Sequence, residues 1–369
     1  MGITFRFCEE NDIERLVLFH REACGADSLP EFWRWKYFEN TAGPSCIALA
    51  LDGERIVGRI GFIPVRFRLD SNVVTAAQQV DSDILQEYRK GGTYFSLSRM
   101  VRTEGEKRKL SFGYGFAIES TKEISVKYLG YRVVSPVRRV MKILDPTQYI
   151  ERTVKIPGTR LLGKSIGRLI KLKEEIFAGD DSDIFEVHNF DSRFDDLWKR
   201  ARLGRIMAIK DSEYLNWRYL KCPTVKYVVF AKDERIPQGF IVLHTALENN
   251  IKYGIIDDLI WNPDIPDIIK CLISRATKYF IEEGVENIIS WAPQNDFFKL
   301  LLRKKGFVDR PMPHYLIAIS RKDDGRLEGF IEDEKNWYYM LGDSDYRLIP
   351  RTTETVNHPS EAGVTQYKS

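Results

Sequence analysis

The sequence predicts an α/β protein made of two similar units in tandem, each a mixed sheet with helices laid over it. Three features of the 369 residues carry that prediction. First, Glu31-Phe32-Trp33-Arg34-Trp35-Lys36-Tyr37-Phe38 reads Glu, aromatic, two residues, Trp, base, Tyr, apolar, and so does Glu213-Tyr214-Leu215-Asn216-Trp217-Arg218-Tyr219-Leu220. Second, each copy is followed by a hairpin pattern, CIALALDGERIVGRIGFI and YVVFAKDERIPQGFIVL, in which two apolar runs flank an acidic turn. Third, YLGYRVV (128–134) matches KKGFVDR (304–310), each a helix end capped by Gly and followed by an aromatic. The matches keep their order at a separation of about 180 residues, which marks a duplicated domain rather than a short repeat.

Taken along the chain, Ile13, Leu16, Val17 and His20 mark one face of a first helix. Cys46–Leu51 and Arg55–Pro64 form the hairpin, and Val73–Asp83 a third strand. Thr93–Lys107 is a helix that opens beside two glycines. Leu110–Ile118 is a strand, and Thr121–Leu129 a helix stopped by Gly130. The expected units are 1–150 and 185–345, with a linker at 151–184 and a tail at 346–369. In the linker, Leu162, Ile166, Leu169, Ile170 and Leu172 predict an amphipathic helix, while Lys155, Arg160, Lys164, Arg168, Lys171 and Lys173 make its outer face basic. Such a face is solvated by water, or it meets lipid or a polyanion.

A net charge of +3 is small for this length and does not demand nucleic acid or a membrane. No apolar run approaches the ~20 residues of a membrane helix. The start, MGITFRFCEEND, has no signal-peptide core. The five cysteines are scattered, without the paired spacings of a zinc site, and no metal is expected. A cytoplasmic protein is the expectation.

Gly158, Gly163, Lys164 and Ser165 spell a P-loop. A working loop follows a buried strand and is lined by small residues. Here Pro157 interrupts the short run before it, and Arg160, Leu161 and Leu162 are bulky, so the residues fit the first turn of the linker helix better.

A better anion site lies at residues 76–107. A strand ends near Asp83-Ile84, and a turn containing Arg89, Lys90, Gly91 and Gly92 leads to Thr93, Tyr94 and the helix. Glycines let a ligand approach the backbone, and the first N–H groups of the helix carry the positive end of its dipole. The arrangement suits a diphosphate.

Strand, Tyr-Arg-x-x-Gly-x, helix, strand, helix, Leu-Gly-aromatic resembles the GNAT superfamily of acyl-CoA-dependent N-acetyltransferases. Arg89–Tyr94 fits its phosphate signature Arg/Gln-x-x-Gly-x-Gly/Ala, except that Tyr94 stands where a small residue is usual. AQQVDSDILQEYR and the ending NWYYMLGDSD (336–345) resemble a subgroup with two such domains in tandem. The resemblance implies mostly antiparallel sheets and an acetyl-CoA donor. Asp83 and Ile84 would contact the pantetheine arm and acyl group through their backbone. Arg89, Gly91, Gly92, Thr93 and Tyr94 would hold the pyrophosphate. A backbone N–H near Ile84 would stabilise the oxyanion. The family's acid tyrosine falls on Val126 here. Candidate bases are Asp81, Asp83 and Glu119, the first two on one strand face with Gln79 beside them.

The second copy has Asn262-Pro263-Asp264-Ile265-Pro266-Asp267 in place of the glycine turn, with no base and two missing N–H donors, so one donor site is expected, in the first copy. The implied activity is transfer of an acyl group, acetyl in the family, to a small-molecule amine, with an amino sugar suggested by the subgroup's settings. A non-catalytic module that holds acyl-CoA or a nucleotide-sugar is the alternative. Aminoacyl transfer from tRNA would need a basic groove, which the near-neutral charge disfavours.

Overall fold

The computed structural model describes residues 2–154, 156, 158–176, 182–293, 296–320, 325–346 and 348. Lys155, Pro157 and all of the tail except Tyr346 and Leu348 lie outside them.

The first copy runs β1 (Thr4–Phe7), α1 (Ile13–Cys24), α2 (Pro30–Tyr37), β2 (Cys46–Asp52), β3 (Arg55–Leu69), β4 (Asn72–Ile84), α3 (Thr93–Lys107), β5 (Phe112–Ile118), α4 (Glu119–Leu129), β6 (Arg132–Pro136) and β7 (Arg139–Ile143). Then come α5 (Thr147–Thr153) and α6 (Thr159–Ile176). The second runs β8 (Ile184–Glu186), α7 (Ser192–Arg200), β9 (Ile206–Ala208), α8 (Ser212–Leu215), β10 (Val228–Lys232), β11 (Gly239–Glu248), β12 (Ile251–Trp261), α9 (Asp267–Glu282), β13 (Asn287–Trp291), α10 (Asp296–Lys304), β14 (Val308–Arg310) and β15 (His314–Ser320). It closes with α11 (Gly325–Glu332) and β16 (Trp337–Tyr338).

Two of the matched sequence features have matching structures. Gly130 and Gly306, the matched helix stops, are both left-handed at φ 81° and 84°. The repeated tryptophans pack on each other: Trp35 stacks on Trp217 at 4.9 Å, and each indole N–H donates to the other's backbone carbonyl, at 2.8 and 3.2 Å. The contact is reciprocal, each tryptophan playing the same part toward the other. It places both tryptophans in the core.

The copies also exchange strands. The main path of the first sheet is β1-β2-β3-β4-β5-β15-β6, so a strand of the second copy separates β5 from β6. The second sheet is β14-β7-β13-β12-β11-β10-β8, so a strand of the first copy separates β13 from β14. One apolar core lies between the sheets and draws on both copies, including Phe67, Phe112, Tyr114, Met141, Ile255, Trp291, Leu316 and Trp337.

The linker differs from its prediction in how it packs. α6 forms where expected, but its inner face is a glycine stripe: a Cβ on Gly163 would sit 2.6 Å from Thr147 Cα, and one on Gly167 would meet Asp145 at 3.2 Å. Ile166 and Ile170 are partly buried beside the glycines, while Leu161, Leu162, Leu169 and Leu172 point outward. The apolar set had suggested one inward stripe, but close backbone approach is available only at glycine. The P-loop spelling therefore falls almost wholly inside α6, from Thr159 to Ser165, and the element that precedes it among the described residues is the helix α5.

Candidate functional site

The site begins as a parting of strands. β4 and β5 run parallel and pair only at Ala77–Gly113 and Gln78–Tyr114, after which they diverge. Just past that point Asp81 and Ser82 together oppose Ile60 of β3, a bulge in which Asp81 adopts φ 51°. The bulge changes which way the side chains face. Gln79 lies on the α3 side, in a groove with Ser98 and Val101. Asp81 and Asp83 lie on the other side, against Lys36, Tyr37 and Arg59. Simple strand alternation had put Gln79 beside the two aspartates. In the second copy β12 and β13 pair from Tyr253–Asn287 through Ile256–Ser290. Beyond, Trp261 stacks on Phe298 at 5.9 Å and meets Tyr338, whose hydroxyl donates to the Leu259 carbonyl. Buried aromatics thus occupy the strand ends there.

At the head of α3, Gly91 and Gly92 are left-handed, at φ 91° and 83°, and a Cβ on either would meet nothing within 4 Å. The first hydrogen bond of the helix is Ser96 N–H to the Gly92 carbonyl. The N–H groups of Gly91, Gly92, Thr93 and Tyr94 have no acceptor among the described residues. Arg89 donates through Nε to the Ile84 carbonyl at 3.1 Å, which ties the turn to the end of β4. The Tyr88 hydroxyl anchors the turn from the other side, donating to Asp52 at 2.8 Å. Lys90 is exposed and Thr93 is buried. An open, positively polarised turn results, and it fits a diphosphate.

Tyr94 enters differently from its prediction. Its backbone belongs to the turn, but its ring points inward between α3 and α4. The hydroxyl stands among Gln79, Ser98 and Ser125 without a well-formed hydrogen bond to any of them, and all four groups have a buried polar atom left unsatisfied. Burial pushes the Tyr94 phenol upward, and these neighbours pull it part of the way back. Alongside runs a groove of ≈ 690 Å³, with Ile60, Phe62, Val101, Leu110 and Leu129 among its walls.

On the opposite face is a charged cluster. Lys36 Nζ donates to Asp81 at 2.6 Å and to Asp345 at 3.1 Å, and the Tyr37 hydroxyl donates to Asp81 at 2.6 Å. Arg59 binds Asp83 at 2.8 Å and lies 3.7 Å from Asp81. Burial alone would raise the Asp81 pKa, but Lys36 and Arg59 outweigh it and hold the carboxylate below its usual range. Asp83 is more open, at 30% side-chain exposure. Glu119 starts α4, apart from this cluster; its hydrogen bonds with Lys122 and then Tyr315 lower its pKa. Sequence reading missed Lys36, Tyr37 and Arg59. The repeated Trp-base-Tyr was the available signal, because Tyr219 likewise donates to a strand aspartate, Asp258, at 2.7 Å. Among the described residues, no group of three or more His, Cys, Asp or Glu is placed to hold a metal ion.

Residues 4–132 match the family described as Acetyltransferase (GNAT) domain. No curated protein matches the sequence. Among solved structures, the chain resembles a GCN5-related N-acetyltransferase from Anabaena variabilis, at 13% identity and a TM-score of 0.61, over 86% of this chain and 72% of that one. It resembles a probable N-acyltransferase from Enterococcus faecalis at 11% identity and a TM-score of 0.62, with coverage of 86% and 72%. It also resembles Saccharomyces cerevisiae N-myristoyltransferase with bound myristoyl-CoA, at 12% identity and a TM-score of 0.59, over 87% and 79%. At such identities these likenesses concern the fold. The parted strands and the open glycine turn both lie within residues 4–132, the segment that matches the GNAT acetyltransferase domain.

Proposed function

We propose that the first copy transfers an acyl group from acyl-CoA to a primary amine, and that the second copy binds no donor. The observation that carries this reading is the open Gly91–Gly92 turn with its unpaired N–H groups at the mouth of the gap between β4 and β5. The donor's diphosphate rests on that turn, with Arg89 and Lys90 adding charge. Its thioester arm descends on the α3–α4 side. The amine approaches from the side of Asp81, Asp83 and Asp345, whose carboxylates attract an ammonium ion.

Asp83 takes a proton from the ammonium, directly or through a water, because Asp81 is committed to Lys36 and Tyr37 and is a weak acceptor. The amine nitrogen then attacks the thioester carbonyl, a backbone N–H near Ile84 steadies the oxyanion, and the C–S bond breaks. The sulfur leaves as a thiolate and needs a proton. Val126 has none to give; Tyr94, a buried phenol on that side beside the Ser98 and Ser125 hydroxyls, donates it, and the nitrogen, made cationic by its attack, sheds a proton that returns to the tyrosine by way of water. The products are an amide and free CoA. Glu119 is not preferred as the base, because Lys122 and Tyr315 engage its carboxylate.

Acetyl is the short donor of the family, and an amino sugar is one acceptor the reading allows. The apolar walls of the ≈ 690 Å³ groove favour a second possibility, a longer acyl chain. A melting-shift titration tests donor binding: stabilisation by CoA thioesters and none by ATP–magnesium is expected, and the reverse ends the proposal. Release of free thiol over a panel of amines then tests turnover, since binding without release would make the protein a holder of acyl-CoA. Comparing acetyl-CoA with octanoyl-CoA decides the chain: a higher kcat/KM for octanoyl-CoA is expected if the groove takes the tail. Tyr94→Phe is expected to lower kcat by about 10–100-fold with donor KM little changed.

A further inference from the structure

α6 carries two faces that the fold does not use. Its inner face is spent on α5 and α9 through Gly163, Gly167, Ile166 and Ile170. Opposite, Leu161, Leu162, Leu169, Leu172 and Ile176 are 73%, 55%, 66%, 51% and 66% exposed. At 100° per residue these five fall within one side of the helix, with Ser165 among them. Val154 and Ile156 are exposed just ahead of the helix. Beside this stripe lie Arg160, Lys164, Arg168 and Lys171, with Lys173 on its other flank. The outward acidic residue in this set is Glu175, because Glu174 turns inward to Lys142 at 2.6 Å. Lys164, Arg168 and Lys171 make no ion pair among the described residues.

Isolated aliphatic side chains on a surface need no explanation, but five in one stripe do. Two occupants are poor fits. The chain after Leu348 is mostly polar, offering Ile349, Val356, Val364 and Tyr367, widely spaced, against five large aliphatics in one stripe. A second copy laid antiparallel would bring two basic flanks together. An anionic bilayer surface meets both requirements at once: the leucines enter the acyl boundary, and the lysines and arginines reach the headgroups. The helix is too short of apolar residues to span, and among the described residues no helix is long and apolar enough to cross a membrane. From these residues we infer that α6 is an in-plane anchor that docks the protein on negatively charged lipid.

Co-sedimentation of the full-length protein with vesicles tests this. Phosphatidylcholine vesicles containing phosphatidylserine are expected to retain the protein, and pure phosphatidylcholine vesicles to retain about tenfold less or below. Raising salt from roughly 0.1 M to 0.5 M is expected to weaken retention. The double variant Leu169→Glu, Leu172→Glu is expected to lose it while keeping its melting temperature, since both side chains are exposed. Lys164→Glu with Arg168→Glu should lose it on anionic vesicles as well. Equal retention on both vesicle types, or retention by the leucine variant, overturns the inference. So does a wild-type dimer in solution that ignores vesicles and becomes monomeric in the leucine variant, because that outcome assigns the stripe to a second copy.

Discussion

Gly92 bears on the proposed donor site through its backbone rather than through lack of space. The position has room for a Cβ, so any cost of substitution comes from its φ of 83°. Gly92→Val is expected to lose about 1–2 kcal/mol of stability in denaturant titrations. It is also expected to weaken CoA binding by about tenfold or more by calorimetry, because the branched side chain covers the N–H groups. His20 makes a different prediction. Arg59 can only donate, so the contact at 3.2 Å makes His20 Nδ1 the acceptor and leaves its Nε2 buried and unsatisfied. Burial, then Arg59, lowers the His20 pKa from 6.5 to about 4, even with Asp81 and Asp83 opposing. The unfolded chain therefore binds more protons between those values, and stability falls as pH drops from 6.5 to 4. The contribution is about 3 kcal/mol at most. His20→Gln is expected to flatten the fall in that window, read by denaturant midpoints at several pH values. Asp81, with a lowered pKa, adds a separate loss at still lower pH.

Among the elements, α6 and β4 show how packing redirects a legible pattern. Both were readable as helix and strand from periodicity. Which face of α6 turns inward was not, because leucine spacing suggests burial while the glycines actually permit contact. Gly163→Ala tests this: its Cβ would sit 2.6 Å from Thr147 Cα, and α5 or α6 must move. The variant is expected to lose about 1–3 kcal/mol from overpacking, less up to about 1 kcal/mol regained in helix propensity, measured by urea unfolding. A gain in stability would show that the two helices do not press together there. In β4, the alternation correctly joined Asp81 to Asp83 and wrongly joined Gln79 to both, because a two-for-one bulge cannot be read from residue types.

The exchange of β7 and β15 bears on the molecule as a unit. Within the first sheet, β5 and β6 have no hydrogen bonds to each other and depend on β15 between them. A fragment of residues 1–150 would leave both strand edges open and part of the shared core exposed. It is expected to be insoluble or unfolded by circular dichroism, and the intact chain to unfold in one transition by calorimetry. Two separate transitions would show that the exchange does not couple the copies. Trp35 and Trp217 add to the coupling, and their reciprocal bonds predict that Trp35→Ala and Trp217→Ala are non-additive in a double-mutant cycle.

The duplicated motifs, hairpins, helix stops and glycine turn were legible because each rests on local chemistry: a left-handed residue, a dipole end, an alternation of apolar and polar groups. The same logic underlies the expectation that the second copy's proline-rich turn is a poor anion site. Strand exchange, the buried Lys36–Asp81–Arg59 cluster and the inward turn of Tyr94 were settled by contacts between residues far apart in the chain, where no local preference speaks. Desolvation, close packing and charge pairing depend on what arrives from elsewhere, and they acquire definite values when the chain has closed on itself.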